Sequence, residues 1–288
     1  PPPTTTRSKL AVVTCVILCC RSGGVVESAT FGGVSVLIGS TGFVGSHISQ
    51  EVDFDLSVHR PNLQDVRNLE TDLLVCAGLP AEKWRANADP DADWINTTAL
   101  ASALATVKAH RAVLISTVDV YQPPVGVDEG DFPAIGGEQA YGRNRTWFEC
   151  FFRTRFPDGL IVRLPGLFAA DVRKNLIHDL MHGKEEQWAS VNPRSTFQFF
   201  DVTKTWEFCS RAHDLGIDLL NVSTPPVSAA EVAACFGVDL TADGPAASYD
   251  MRTLHASSFG GVDGYLMSRD AVLAGIADLS GQEVSDES

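Results

Sequence analysis

Several things are scarce in this chain, and each scarcity excludes something. Positive charge is one: 22 Lys and Arg stand against 36 Asp and Glu, a formal net charge of −14 and a pI near 4.8. No dense Lys/Arg run offsets the acidity, which argues against a nucleic-acid or anionic-membrane partner. Long apolar runs are missing too. The best, Leu10 to Cys20, is about half the ~20 residues that span a bilayer. Cys-x-x-Cys pairs and His/Cys clusters with zinc spacing are absent, so no metal site is expected. The seven cysteines form no disulfide framework, and Cys76, Cys150, Cys209 and Cys235 read as reduced, buried thiols of a cytoplasmic protein. Internal repeats are also lacking.

What is present divides unevenly. Residues 1–32 (PPPTTTRSK, LAVVTCVILCC, RSGGVVESATFGG) differ from the rest. With Arg7 and Lys9 ahead of the apolar run, they have the outline of a signal-peptide core or weak anchor and are expected to lie outside the fold. From Val34 onward, short β-branched runs alternate with helical patterns. The strand candidates are VSVLI, Phe54–Arg60, Asp72–Gly78, Ala112–Thr117 and Gly159–Phe168. Helices are expected from about Ser46, over Asp93–His110, and from near Gln139 to about Phe156. Such alternation predicts an α/β class, a Rossmann-like, doubly wound parallel sheet. The spacing assigns residues 33–168 to a nucleotide-binding domain. Residues 169–279 form a small C-terminal lobe with a strand returning near 219–223, and 280–288 form an acidic tail.

The sharpest local signal is GSTGFVG. Gly39, Gly42 and Gly45 follow a predicted strand and open a helix, with Thr41, Phe43 and Val44 between them. Glycines there permit a tight turn, close approach of a pyrophosphate and close strand–helix packing. The helix N-terminus then offers free N–H groups and a positive dipole end to phosphate. A carboxylate about twenty residues on would bind the ribose hydroxyls of NAD. That position holds His59 and Arg60 instead, and a cation suits the 2′-phosphate of NADP. NADP is therefore slightly favoured over NAD.

With GSTGFVG, ISTVDVY (Ile115–Tyr121) and YGRNR (Tyr141–Arg145) in this order, the chain resembles the extended short-chain dehydrogenase/reductase superfamily. Within it, the closest likeness is to the NAD-dependent epimerase/dehydratase family that modifies nucleotide sugars. The resemblance spans roughly Val34 to Leu279. It implies a cofactor loop at Gly39–Gly45, a strand end passing the cofactor at Ala77 and Gly78, and a supporting Asn96. It further implies a catalytic Thr117 and a catalytic Tyr141. Arg145 falls where the family has lysine. Arginine supplies charge but does not release a proton as lysine does. The resemblance also implies a nucleotide-sugar substrate and a lobe that grips it. Asn175, Gln198 and Arg252 are the substrate-binding candidates, with Arg163 and Arg194 beside them. Homodimer formation through the tyrosine helix is a further implication.

The activity so implied is hydride transfer at a sugar carbon with Tyr141 as acid/base, in an epimerase, dehydratase or reductase. Two alternatives stand beside it. One is a catalytically impaired NAD(P)-binding sensor or scaffold, suggested by Arg145. The other is a carbonyl reductase for a non-sugar substrate.

Overall fold

The computed structural model describes residues 34–133 and 136–281, all within one compact unit, Gly33–Ser288. The N-terminal signal-like segment with Cys15, Cys19 and Cys20, and most of the acidic tail, lie outside the described residues. No helix of the described residues is long and apolar enough to cross a membrane.

Six parallel strands form the central sheet: β1 Ser35–Ile38, β2 Leu56–Val58, β3 Glu70–Cys76, β4 Lys108–Thr117, β5 Leu160–Leu164 and β6 Leu219–Asn221. Their spatial order is β6-β5-β4-β3-β1-β2. A parallel sheet is covered on both faces, so its strands need no polar alternation. Val36, Leu37 and Ile38 of β1 are accordingly all buried. Helices α3 (Pro90–Leu104) and α4 (Ala140–Arg155) cover one face, packing Leu100, Leu104, Phe148 and Phe152 on Ile38, Leu74 and Leu114. Helix α1 (Phe43–Glu51) and the helix Thr205–Asp214 cover the other, setting Ile48, Cys209 and Ala212 on Leu37, Val75 and Val162. The fold class expected from the alternation is the one observed.

Details differ from the sequence reading. The stretch Asp93–His110 is not one helix: α3 ends at Leu104, and Lys108 already pairs with Glu70 in the sheet. The Ala-rich pattern hid that switch, which hydrogen bonding across to β3 decides. The helices Lys83–Ala88 (α2), Thr205–Asp214 and Arg269–Ser280 were not anticipated. Among the thiols, Cys76 and Cys209 are buried, but Cys150 is exposed on α4 and Cys235 is half-buried. Trp147, which its helical spacing assigns to the core, is 38% exposed.

The chain order in the sheet reverses between β1 and β3, because β2 lies on one side of β1 and β3 on the other. Such a reversal opens a crevice beyond the carboxyl ends of the strands. The loop after β1, the Ala77–Gly78 exit of β3 and the Thr117 end of β4 all meet there. After Phe168, the chain builds a small apolar cluster of Ile177, Leu180, Val232, Val272 and Ile276 against Phe199. Leu176, Asp179 and Phe199 of this part line the crevice, and Phe43 at the start of α1 packs against the cluster.

Candidate active site

The crevice is a cleft of about 1480 Å³, more than the roughly 300–1,000 Å³ of a pocket for one small ligand. Its glycine-loop end is built by backbone. Gly39 adopts φ +92°, a left-handed conformation that suits glycine. A Cβ on Gly45 would fall on the carbonyl oxygen of Gly39, so α1 can start this close to β1 only with glycine there. Helix α1 begins after Gly42 with no side-chain cap. Its first-turn N–H groups have no partner within the helix and face the cleft that Thr41, Gly42, Phe43 and Val44 line. That is the geometry of an anion seat. Ala77, Gly78, Asn96 and Arg60 line the same end. Asn96 is half-buried and donates to the Ala92 carbonyl at 2.8 Å. Arg60 is exposed at the start of the turn after β2, with His59 beside it. These residues fit a nicotinamide dinucleotide: an uncapped helix start for its pyrophosphate and no carboxylate at the end of β2.

The other end is built by side chains. Thr117 ends β4, and Tyr141 and Arg145 project from the first turns of α4 into the cleft wall. The α4 N-terminus sits tightly on the turn Val118–Val120, because a Cβ on Gly142 would strike the Asp119 carbonyl oxygen. The glycine inside YGRNR is thus a packing requirement that the sequence reading passed over. The Tyr141 amide donates to Asn87 Oδ1 at 3.0 Å, anchoring α4 to α2.

Arg145 is 1% exposed. Its guanidinium grips both carboxylate oxygens of Asp93, one at 2.9 Å, and donates to the Pro80 and Tyr141 carbonyls. The guanidinium carbon lies 4.0 Å from the centroid of the Tyr141 ring. Arg145 is therefore stacked on the phenol and neutralised from behind. Asp93 is itself well placed, in the first turn of α3 where the helix dipole favours an anion. Burial pushes the Tyr141 phenol above its ordinary value; Arg145 pulls it down, Asp119 pushes it up, and a hydrogen bond with Thr117 and the Lys83 charge pull it down again. The net direction is upward, so the phenol holds its proton at neutral pH.

Three further groups line this end. Lys83 Nζ donates to Asp119 Oδ1 at 2.6 Å and to the Tyr249 hydroxyl at 3.2 Å. Burial alone would lower the lysine, but Asp119 and Tyr249 outweigh it and the ammonium is held above its usual value. Asp119 and Tyr249 were missed at the sequence level. Asp119 was visible inside STVDVY, whereas Tyr249 comes from far along the chain and had no signal.

The lobe candidates separate. Asn175 lines the cleft at φ +119°, but its side chain caps the helix Leu176–Met181 (α5) and donates to the Leu167 carbonyl at 2.7 Å. Gln198 is at the cleft wall and 2% exposed; its amide binds the backbone of Thr224 and Met251 at both ends, so it braces the wall. Arg252 is not brought to the cleft, since it is exposed and paired with Asp250 at 3.0 Å. Arg194 likewise pairs outside with Asp243 at 2.7 Å. Arg163 is buried in the sheet with Glu149 at 2.6 Å and Tyr121 at 2.6 Å, a core ion pair rather than a ligand contact. Arg173 and Lys174, not singled out from sequence, line the cleft instead.

No family model matches the sequence, and no curated protein matches it. Solved structures do. A dTDP-4-dehydrorhamnose reductase from Bacillus anthracis in complex with NADP superposes with a TM-score of 0.66 at 17% identity, over 88% of this chain and 99% of its own. The Bordetella bronchiseptica enzyme WbmG in complex with NAD and UDP gives 0.64 at 16% identity, covering 88% of this chain and 96% of its own. A UDP-glucose 4-epimerase with UDP-glucose from Thermotoga maritima gives 0.61 at 11%, covering 85% and 97%. This chain shares their fold. Nearly the full length of each is matched.

Proposed function

We propose that the protein is an NAD(P)-dependent enzyme of the epimerase/reductase kind, acting on a nucleotide sugar. The observation that carries this reading is one cleft joining an uncapped, glycine-opened helix start to Thr117 and Tyr141. Its volume, about 1480 Å³, suits a dinucleotide together with a second extended ligand. In a chain of net charge −14, the cleft nonetheless gathers Arg60, Lys83, Arg173 and Lys174. That excess over Glu82, Asp119 and Asp179 favours ligands rich in phosphate. The similar proteins bind NAD, NADP, UDP or UDP-glucose.

A bound nicotinamide would supply or take the hydride at the sugar carbon. The chain's own residues do the rest. Phe43, Val44 and the first turn of α1 hold the pyrophosphate, and Arg60 takes the 2′-phosphate of NADP in preference to the bare hydroxyl of NAD. Ala77, Gly78 and Asn96 border the cofactor's path. Thr117 donates to the reacting oxygen and orients it. Tyr141, protonated at neutral pH because burial dominates its environment, gives its proton to that oxygen as the carbonyl becomes an alcohol. Arg173, Lys174 and Asn175 border the space for the nucleotide diphosphate. A second copy of the chain is the partner this reading carries, through the exposed strip of Trp94, Ile95 and Trp147 on α3 and α4. Light scattering of the purified chain tests that part.

The central test is fluorescence titration of the folded chain with NADPH and NADH, followed by assays with UDP-, GDP- and dTDP-linked keto sugars. Saturable binding with NADPH ahead of NADH, and turnover of one nucleotide sugar, is the expected result. A folded chain that binds neither dinucleotide overturns the reading.

A further inference from the structure

Arg145 occupies the lysine position but is spoken for. Both of its terminal nitrogens are engaged by Asp93, Pro80 and Tyr141, and it is 1% exposed. It cannot turn toward a ligand without abandoning a buried carboxylate. Its place beside Tyr141 is fixed.

Lys83 differs in its exposure. It opens α2, and its side chain is 35% exposed at the cleft. Asp119 follows Thr117 by two residues, and its backbone packs on Gly142, next to Tyr141. Tyr249 arrives from the C-terminal part of the chain and closes a triangle: Lys83 to Asp119 at 2.6 Å, Lys83 to Tyr249 at 3.2 Å and Tyr249 to Asp119 at 3.4 Å. The charged groups near Tyr141 are thus Arg145 with Asp93 behind it, Asp119 and Lys83, with Tyr249 bonded to the last two. Three separate segments converge on this arrangement.

We infer that Lys83 is a second positioning cation for Tyr141, and that the Lys83–Asp119 pair is the adjustable part of the field on the phenol while Arg145 is the fixed part. The inference rests on Tyr141 being the proton-carrying group of the proposed reaction. Lys83 and Asp119 act with opposite sign. Both face the cleft, so a ligand that accepts a hydrogen bond from Lys83 or donates one to Asp119 shifts the balance at Tyr141 as it binds. The task of the single lysine in the resembled family is divided here between a locked arginine and a reachable lysine.

The test uses the full chain with 3,5-difluorotyrosine at its four tyrosine positions, read by fluorine NMR against pH with no ligand present. Fluorination lowers the phenol's pKa, bringing the titration into the range where the chain is folded. Tyr141→Phe identifies the signal from position 141. Lys83→Met is expected to raise that midpoint by about one pKa unit, as loss of a nearby opposite charge does. Lys83→Arg should leave it in place, Asp119→Asn should lower it, and the Lys83→Met/Asp119→Asn pair should return it toward the starting value. An unmoved midpoint in Lys83→Met overturns the inference, and so does an equal rise in Lys83→Arg, which would mark a structural role. Lys83→Gln serves as the neutral variant if Lys83→Met does not fold. Because no dinucleotide is added, the outcome is independent of the cofactor reading, which NADPH and NADH titration of the same preparations decides separately.

Discussion

The two ends of the cleft are made from different materials. At the glycine loop, backbone does the shaping: a left-handed Gly39, a Gly45 with no room for a Cβ, and a helix start left uncapped. At the Tyr141 end, side chains do it: a buried Arg145–Asp93 pair, a Lys83–Asp119–Tyr249 triangle, and a phenol between them. The first kind of site depends on residue size at fixed spacings. The second depends on which charges come together in space and which are cancelled before a ligand arrives.

The contrast predicts a graded series of effects. The largest belongs to the buried pair. Asp93→Ala leaves the Arg145 guanidinium uncompensated and should lower stability by about 3–5 kcal/mol in urea denaturation. Asp243→Ala, which frees the exposed Arg194, should change it by no more than about 0.5 kcal/mol. Equal effects from the two would mean that Arg145 is not locked as described.

Next come the glycines. Gly45→Ala and Gly142→Ala each force a methyl group onto a carbonyl oxygen and should each destabilise by about 1–3 kcal/mol. They should part company in binding: Gly45→Ala loses the dinucleotide, whereas Gly142→Ala keeps it and impairs turnover. Loss of NADPH binding in Gly142→Ala alone would reverse the assignment of the two ends.

A smaller effect is expected at Arg60. Arg60→Ala should weaken NADPH by roughly tenfold, the order of one charge-assisted hydrogen bond, and leave NADH unchanged in the same titration. Equal loss for both would remove Arg60 from the 2′-phosphate.

The smallest lies in the lobe, outside either end. The Glu231 carboxyl is held by the Ser228 hydroxyl, by Arg269 and by the Ser228 amide, which push it down to about 2 from 4.5. A depressed carboxylate stabilises the fold at pH above its unfolded value and loses that contribution as pH falls through the folded one. The melting temperatures of the native chain and Glu231→Gln should therefore differ modestly at pH 6 and converge as pH drops from about 4.5 toward 2. A gap that persists unchanged at the acid end would assign the difference to packing.

How much could be read beforehand follows the same division. The apolar runs of β1, β3, β4 and β5 were legible because a strand buried on both faces needs only local, continuous hydrophobicity. The glycine loop was legible because each of its constraints acts within a few residues. The start of β4 was not: Lys108–Arg111 continue an Ala-rich helical pattern, and only pairing with β3 makes them strand. Thr117 and Tyr141 were identified through the order of motifs, and the fold brings both to one cleft wall. Arg145 was noticed as a departure, but its partner Asp93 is 52 residues away. Arg163, Arg194 and Arg252 looked alike as candidate anion ligands. The fold buries the first with Glu149, pairs the other two outside the cleft, and brings Arg173 and Lys174 to it instead.

Residue order alone was enough for the parallel α/β sheet, the glycine loop and the tyrosine helix, because hydrophobic period and glycine sterics are local properties of the chain. The tertiary structure alone decided which charges are free, since attraction between ions depends on distance and burial. It turned Arg145 into a locked cation and brought Lys83, Asp119 and Tyr249 from three segments to the side of Tyr141.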